Sequence, residues 1–115
     1  MKNLILIFIV FFSSTTLFAQ TSDKYQTATL KVNGTCGMCK ERIEDAAFIG
    51  GVKEADWDKH TKILSVTYRR SKTNTDEIRK AVVHAGHDTD ELVASDKDYN
   101  KLEKCCRYRT ETCEH

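Results

Sequence analysis

From Gln26 onward apolar and polar positions alternate. Ala28, Leu30 and Val32 fall on one side and Thr27, Thr29, Lys31 and Asn33 on the other, the period-two signature of a half-buried strand. Gly34-Thr35 interrupts the pattern. Residues 39–48 then place Ile43, Ala46 and Ala47 at helical spacing, and Gly50-Gly51 supplies a stop of the usual helix-ending kind. Val52, Ala55 and Trp57 predict a second strand, residues 59–62 its turn, and Leu64, Val66 and Tyr68 a third strand, so the pair forms a hairpin. Thr73-Asn74-Thr75-Asp76 offers N-cap residues for a second helix. Its apolar face, Ile78, Ala81, Val82 and Ala85, recurs at i, i+3, i+4 and i+7 before Gly86, as an amphipathic helix requires. A short fourth strand is expected over 88–93.

The order β-α-β-β-α-β predicts an α+β, ferredoxin-like sandwich, a four-stranded antiparallel sheet with two helices on one face. Its expected core is Leu30, Val32, Ile43, Ala47, Val52, Leu64, Val66, Ile78, Val82 and Val93. Ahead of it, Met1-Lys2-Asn3 precedes the unbroken apolar run Leu4 to Phe12 and then Leu17-Phe18-Ala19. That pattern predicts a secretory signal peptide over 1–19, because the run is about half of the roughly 20 apolar residues a spanning helix needs. The expected organisation is therefore signal peptide 1–19, one domain over 20–94, and a Cys-containing extension over 95–115, with the mature chain periplasmic or secreted. Within the extension, Ser95-x-x-Asp98 predicts a short capped helix running toward Lys104.

Composition narrows the function. At 115 residues the chain has room for one domain. Lys and Arg number 18 against 17 Asp and Glu, and cleavage at Ala19 removes Lys2, leaving the mature chain formally neutral. Nucleic acid is therefore not an expected partner. No general acid/base constellation, nucleophile elbow or phosphate loop is visible, and no enzyme is predicted.

The five cysteines, at 36, 39, 105, 106 and 113, cannot all pair. Cys36-Gly37-Met38-Cys39 sets two thiols in a glycine-containing turn between a strand and a helix, where both sulfurs can converge on one ion. The amino end of a helix favours thiolate over thiol, and Lys40 and Arg42 add positive charge nearby. Thiolates select soft or borderline ions, Cu(I), Hg(II) or Zn(II), and two ligands suit Cu(I) and Hg(II) better than a closed tetrahedral zinc site. A thiol–disulfide oxidoreductase is the rival reading of the same four residues. It is disfavoured because thioredoxin-like enzymes set a cis-proline opposite their cysteines and this chain contains no proline. A disulfide-stapled interaction module is a third reading, which leaves the two-residue spacing unexplained.

Val32-Asn33-Gly34-Thr35-Cys36-Gly37-Met38-Cys39, followed by a helix in a βαββαβ chain, resembles the heavy-metal-associated domain family of small copper chaperones, copper-ATPase N-terminal domains and the periplasmic mercury-binding protein. The likeness spans residues 26–93. It implies that Cys36 and Cys39 ligate the ion, most readily Cu(I), and that transfer proceeds by ligand exchange. The expected partner is a metal-transporting membrane protein or another thiol-rich domain, with the chain a monomer or a metal-linked dimer. Two features depart from the family. Its usual Gly-Met-Thr-Cys-x-x-Cys is one residue shorter here, with a methionine at Met38 inside the motif. Ala85-Gly86 is followed by His87 rather than Lys, Tyr or Phe, and in this topology that loop lies at the metal-loop end of the sheet. His87 is thus a candidate third ligand or a residue that tunes the thiolates, against the plainer reading of a solvent-facing turn histidine.

Cys105, Cys106, Cys113 and His115 form a second soft-ligand cluster. Adjacent cysteines are poorly placed to bridge each other, so additional metal ligands, disulfides to other cysteines and inert tail residues stay open. Residues 95–104 span some 15 Å as helix, and their reach to the Cys36 loop depends on where the fourth strand leaves them. Met38 reads as a loop hydrophobe, His60 and His84 as solvated, and Trp57 and Tyr68 as sheet residues.

Overall fold

The structure is a computed structural model that describes residues 24–35 and 37–109. The expected signal peptide lies outside those residues, and no helix among the described residues is long and apolar enough to cross a membrane. The elements are β1 (Gln26–Lys31), α1 (Gly37–Ala47), β2 (Val52–Trp57), β3 (Ile63–Tyr68), α2 (Thr75–His84), a one-turn α3 (Asp96–Tyr99) and a 3₁₀ turn (Lys104–Cys106).

The strands pair antiparallel in the order β1-β3-β2. Alternation sorts each strand into two faces. Leu30, Leu64, Val66 and Tyr68 point inward and pack with Ile43 and Ala47 of α1 and Ile78 and Val82 of α2, while outward-facing Thr27 and Thr67 meet at 3.3 Å. In β2 the register shifts between Val52 and Glu54. That extra residue lets Val52, Ala55 and Trp57 share the inner face although their spacing breaks strict alternation.

Helix α2 begins as its sequence predicts, with the Asn74 side-chain oxygen accepting from the Glu77 N–H at 2.9 Å and Asp76 and Glu77 in the first turn, where acids oppose the helix dipole favourably. It stops at Gly86, whose φ is +103°. A methyl group there would lie 2.8 Å from the Asp98 carbonyl oxygen and 3.0 Å from Leu102, so glycine supplies both the left-handed backbone and the room for α3 to press on the end of α2.

Residues 88–93 do not form the expected fourth strand. Among the described residues the sheet has three strands, and this segment contributes one isolated bridge, Val32 to Thr89. Local bonds compete with the ladder: the Thr89 N–H donates to the Leu92 carbonyl at 2.8 Å, the Leu92 N–H to Thr89 Oγ1 at 3.0 Å, and the Ala94 N–H to Asp88 Oδ1 at 2.7 Å. The chain curls instead of extending. Val93, expected in the core, is 74% exposed, and Ala94 takes the buried position.

Because the chain turns early, the following residues fold back over the domain. Ser95 Oγ accepts from the Asp98 N–H at 3.1 Å, but α3 closes after a single turn at Asn100 instead of continuing toward Lys104. Tyr99, Leu102 and Cys106 enter the same core cluster as the sheet and helices. Arg109 locks the segment's end: its Nη2 and Nε donate to the two Asp88 carboxylate oxygens at 2.7 and 3.1 Å, and Nη2 also donates to the Ala94 carbonyl at 2.8 Å.

Candidate metal centre

The approach to the cysteine motif is held by its carbonyl groups. Trp57 Nε1 donates to the Val32 carbonyl at 2.9 Å, His87 Nδ1 to the Asn33 carbonyl at 2.7 Å, and Lys62 Nζ to the Gly34 carbonyl at 2.7 Å. Three consecutive peptide oxygens leading toward Cys36 thus each accept a hydrogen bond from a side chain in a different part of the fold. The Trp57 ring also lies under Gly34, where a methyl group would come within 3.0 Å of it. Such bracing fixes the backbone of Val32, Asn33 and Gly34 on the approach to the cysteine motif.

Cys39 occupies the first turn of α1 and is fully buried, with the unsatisfied N–H groups of the helix start around it. Its Sγ lies 3.5 Å from Thr35 Oγ1, and that hydroxyl donates to the Cys105 carbonyl at 2.7 Å. The hydroxyl's one proton is committed to the carbonyl, so the Cys39 thiol is the donor of the pair. Cys36, Cys113 and His115 lie outside the described residues. Among the described residues no three His, Cys, Asp or Glu side chains gather around a common point as a metal site.

The remaining candidates fall as follows. Cys105 comes to the motif, its Sγ 3.6 Å from Met38 Sδ. Cys106 is fully buried in the core cluster, while Met38 is 49% exposed. His87 does not face solvent. It is fully buried, stacked on Tyr108 with ring centroids 5.6 Å apart, and its Nε2 has no hydrogen-bond partner among the described residues. A carbonyl can only accept, so Nδ1 carries the proton and Nε2 is bare. Burial, reinforced by the charge of Arg42, pushes His87 down to about 4 despite the Asn33 bond. The imidazole is a neutral brace for Asn33, reaching the cysteine motif through the backbone. His84 is exposed, 3.3 Å from Asp98.

Two residues at this end were not singled out by the sequence. Lys62, with φ +64° in the hairpin turn, holds Gly34, and no local pattern marks it. Tyr108 donates its hydroxyl to the Gly86 carbonyl at 2.9 Å and accepts from the Asp88 N–H at 2.7 Å, tying the loop around His87 to the extension. Lys40, expected to add charge beside the thiols, is spent elsewhere: its ammonium binds Asp56, Glu44 and the Trp57 carbonyl. The bonds to Asp56 and then Glu44 hold its pKa above the usual lysine range.

No family model matches this chain, and neither does any curated protein. Solved structures do. A CopZ metallochaperone is 33% identical, with a TM-score of 0.54 over 56% of this chain and 98% of that one. Oxidized MerP from Ralstonia metallidurans CH34 is also 33% identical, with a TM-score of 0.53 over 56% of this chain and 93% of that one. A copper binding domain from a P-type ATPase, at 21% identity and a TM-score of 0.54 over 61% and 96% of the two chains, shares the fold. Each is matched over nearly its whole length, so this chain carries length that they do not.

Proposed function

Since the chain belongs to the heavy-metal-associated domain family, as its match to nearly all of a CopZ metallochaperone at 33% identity shows, we propose that it binds one soft metal ion through Cys36 and Cys39. Cu(I) is the ion best suited to the pair, because two thiolates satisfy its low coordination number. The observation that carries this reading is the braced loop: Trp57, His87 and Lys62 hold the three carbonyls before the motif, and Cys39 sits in the first turn of α1. Each thiol releases its proton as the ion binds. An incoming thiolate from a partner domain or transporter then adds to the ion and displaces these sulfurs in turn, a transfer by ligand exchange that needs no redox step. The protein acts as a carrier or buffer of the ion and not as an enzyme. The leading apolar run supports export to the periplasm. Hg(II) is the second reading, favoured by the equal identity to oxidized MerP.

The test is an anaerobic Cu(I) titration of the reduced protein against a chromophoric chelator, repeated with Hg(II). One tightly held equivalent that disappears in Cys36→Ser/Cys39→Ser supports the assignment. Tight binding retained by that double variant overturns it.

A further inference from the structure

We propose that the open edge of β1 docks β1 of a second copy of this chain, paired antiparallel about Ala28, to give a dimer whose sheet runs through both copies. The inference is independent of the cysteines. The hydrogen bonds show which backbone groups the edge presents. Val32 donates its N–H to the Lys62 carbonyl at 2.8 Å, continuing the register in which Gln26, Ala28 and Leu30 stand opposite Tyr68, Val66 and Leu64. The even-numbered residues of β1 therefore turn their N–H and C=O groups toward β3, and the odd-numbered residues turn theirs outward. On that outer side the Asn33 N–H donates to the Asp88 carbonyl at 2.9 Å and the Lys31 carbonyl accepts from the Asp90 N–H at 3.1 Å, as the start of a fourth strand would. The turn from Thr89 to Leu92 then carries the chain away, and the N–H and C=O groups of Thr27 and Thr29 find no partner among the described residues.

The two edges of the sheet differ. β2 is bulged between Val52 and Glu54 and carries Lys53, Glu54 and Asp56, the twist and charge that keep another strand from adding. β1 holds an unbroken register over six residues and has its one charge at Lys31, the last position. This edge fits its own copy. In an antiparallel pair centred on Ala28, Thr27 stands opposite Thr29 of the second copy and Thr29 opposite Thr27 of the second copy, so four backbone hydrogen bonds satisfy every outward group of these residues in both copies. Lys31 then faces Tyr25 of the second copy, a cation against a ring instead of two like charges. The same register brings Tyr25, which is exposed, to the turn of the other copy that ends in exposed Leu92 and Val93, so apolar surface is covered at both ends of the pair. A formal net charge of +1 adds little repulsion between copies.

Sedimentation velocity and amide hydrogen exchange on the reduced, metal-free protein test this. A six-residue strand on each side is short beside the roughly 800 Å² per partner of a standard interface, so the dimer is expected at millimolar concentration and should dissociate on dilution to micromolar. The Thr27 and Thr29 amides should exchange more slowly as the dimer forms, while Ala28 and Leu30, bonded to β3, stay protected throughout. Thr29→Pro removes an outward N–H and no bond to β3; it should abolish the dimer while Trp57 fluorescence still reports a buried ring. Should the proline variant not fold, Thr29→Lys sets a charge on the same edge and is expected to move the midpoint of association to higher concentration. Four results overturn the proposal: a monomer at every concentration, a dimer that these variants leave unchanged, association only when metal is added, or protection of Thr27 and Thr29 in the monomer, which would mean that the chain covers its own edge.

Discussion

Acid should weaken this fold through one histidine. His87 is fully buried, with Nδ1–H on the Asn33 carbonyl and a bare Nε2, so a second proton would place a charge and an unpaired donor inside the core. Its pKa falls from an ordinary 6.5 to about 4. Below 6.5 the unfolded chain binds a proton that the native state refuses, so stability rises with pH between about 4 and 6.5 and is flat above. At about 1.4 kcal/mol per pH unit the loss at the acid end of that window is about 3 kcal/mol, a large share of a small domain's stability. Asp88 contributes in a separate range. Burial pushes it up, but Arg109 and the Ala94 N–H outweigh burial and hold it below the carboxylate value of 3.8, so its contribution is present above 3.8 and is lost as pH falls further.

Urea unfolding followed by Trp57, the single tryptophan and 1% exposed, measures the effect from about pH 7.5 to pH 4. The comparison is with His87→Phe, which keeps a ring against Tyr108 and removes the titration. The variant should be less stable than the wild type at neutral pH by about 1 kcal/mol, the value of the lost Asn33 bond. The deficit should shrink and reverse as pH falls through 6 and 5. Parallel curves for the two proteins between 6.5 and 4 would refute the assignment of acid sensitivity to His87.

Two further outcomes follow from the packing of the extension. Gly86→Ala must hold φ at +103° and push a methyl against the Asp98 carbonyl and Leu102; a loss of about 1–3 kcal/mol is expected by thermal unfolding, and a neutral result would mean that α3 does not press on this turn. Leu102→Ala removes a side chain 2% exposed in the core cluster and should lower stability by about 2–5 kcal/mol in the same urea assay; less than about 1 kcal/mol would show that the extension is not part of the cooperative unit.

Most of the frame was legible where local pattern and long-range packing agree. Leu30, Leu64 and Val66 alternate because one sheet face is covered, Asn74 caps α2 as its side chain permits, and Cys39, Ile43 and Ala47 recur every fourth residue along α1. Residues 88–93 misled because Leu92 and Val93 look like a strand's apolar end, whereas Thr89 and Asp88 offer side-chain acceptors that bend the backbone first. The packing of the extension into the core was missed for another reason. Tyr99, Leu102 and Cys106 do recur at i, i+3 and i+7, the signal of a buried helical face, but they span a one-turn helix, a turn and a 3₁₀ turn, too broken to announce a single element. At the cysteine motif, the two-residue spacing of Cys36 and Cys39 is plain in the sequence. Lys62, Tyr108 and the carbonyls they serve are not, since a backbone oxygen leaves no trace in a sequence.

The bond from Thr35 to the Cys105 carbonyl closes a loop of seventy residues, and that length sets an order of events. Contacts so distant along the chain are made after the hairpin and the α1 packing have formed, because the entropy of closure is met only when nearer contacts reward it. During synthesis residues 95–109 emerge after the strands and helices they pack against. Thr35 and Met38 therefore meet Cys105 only after the strands and helices have packed.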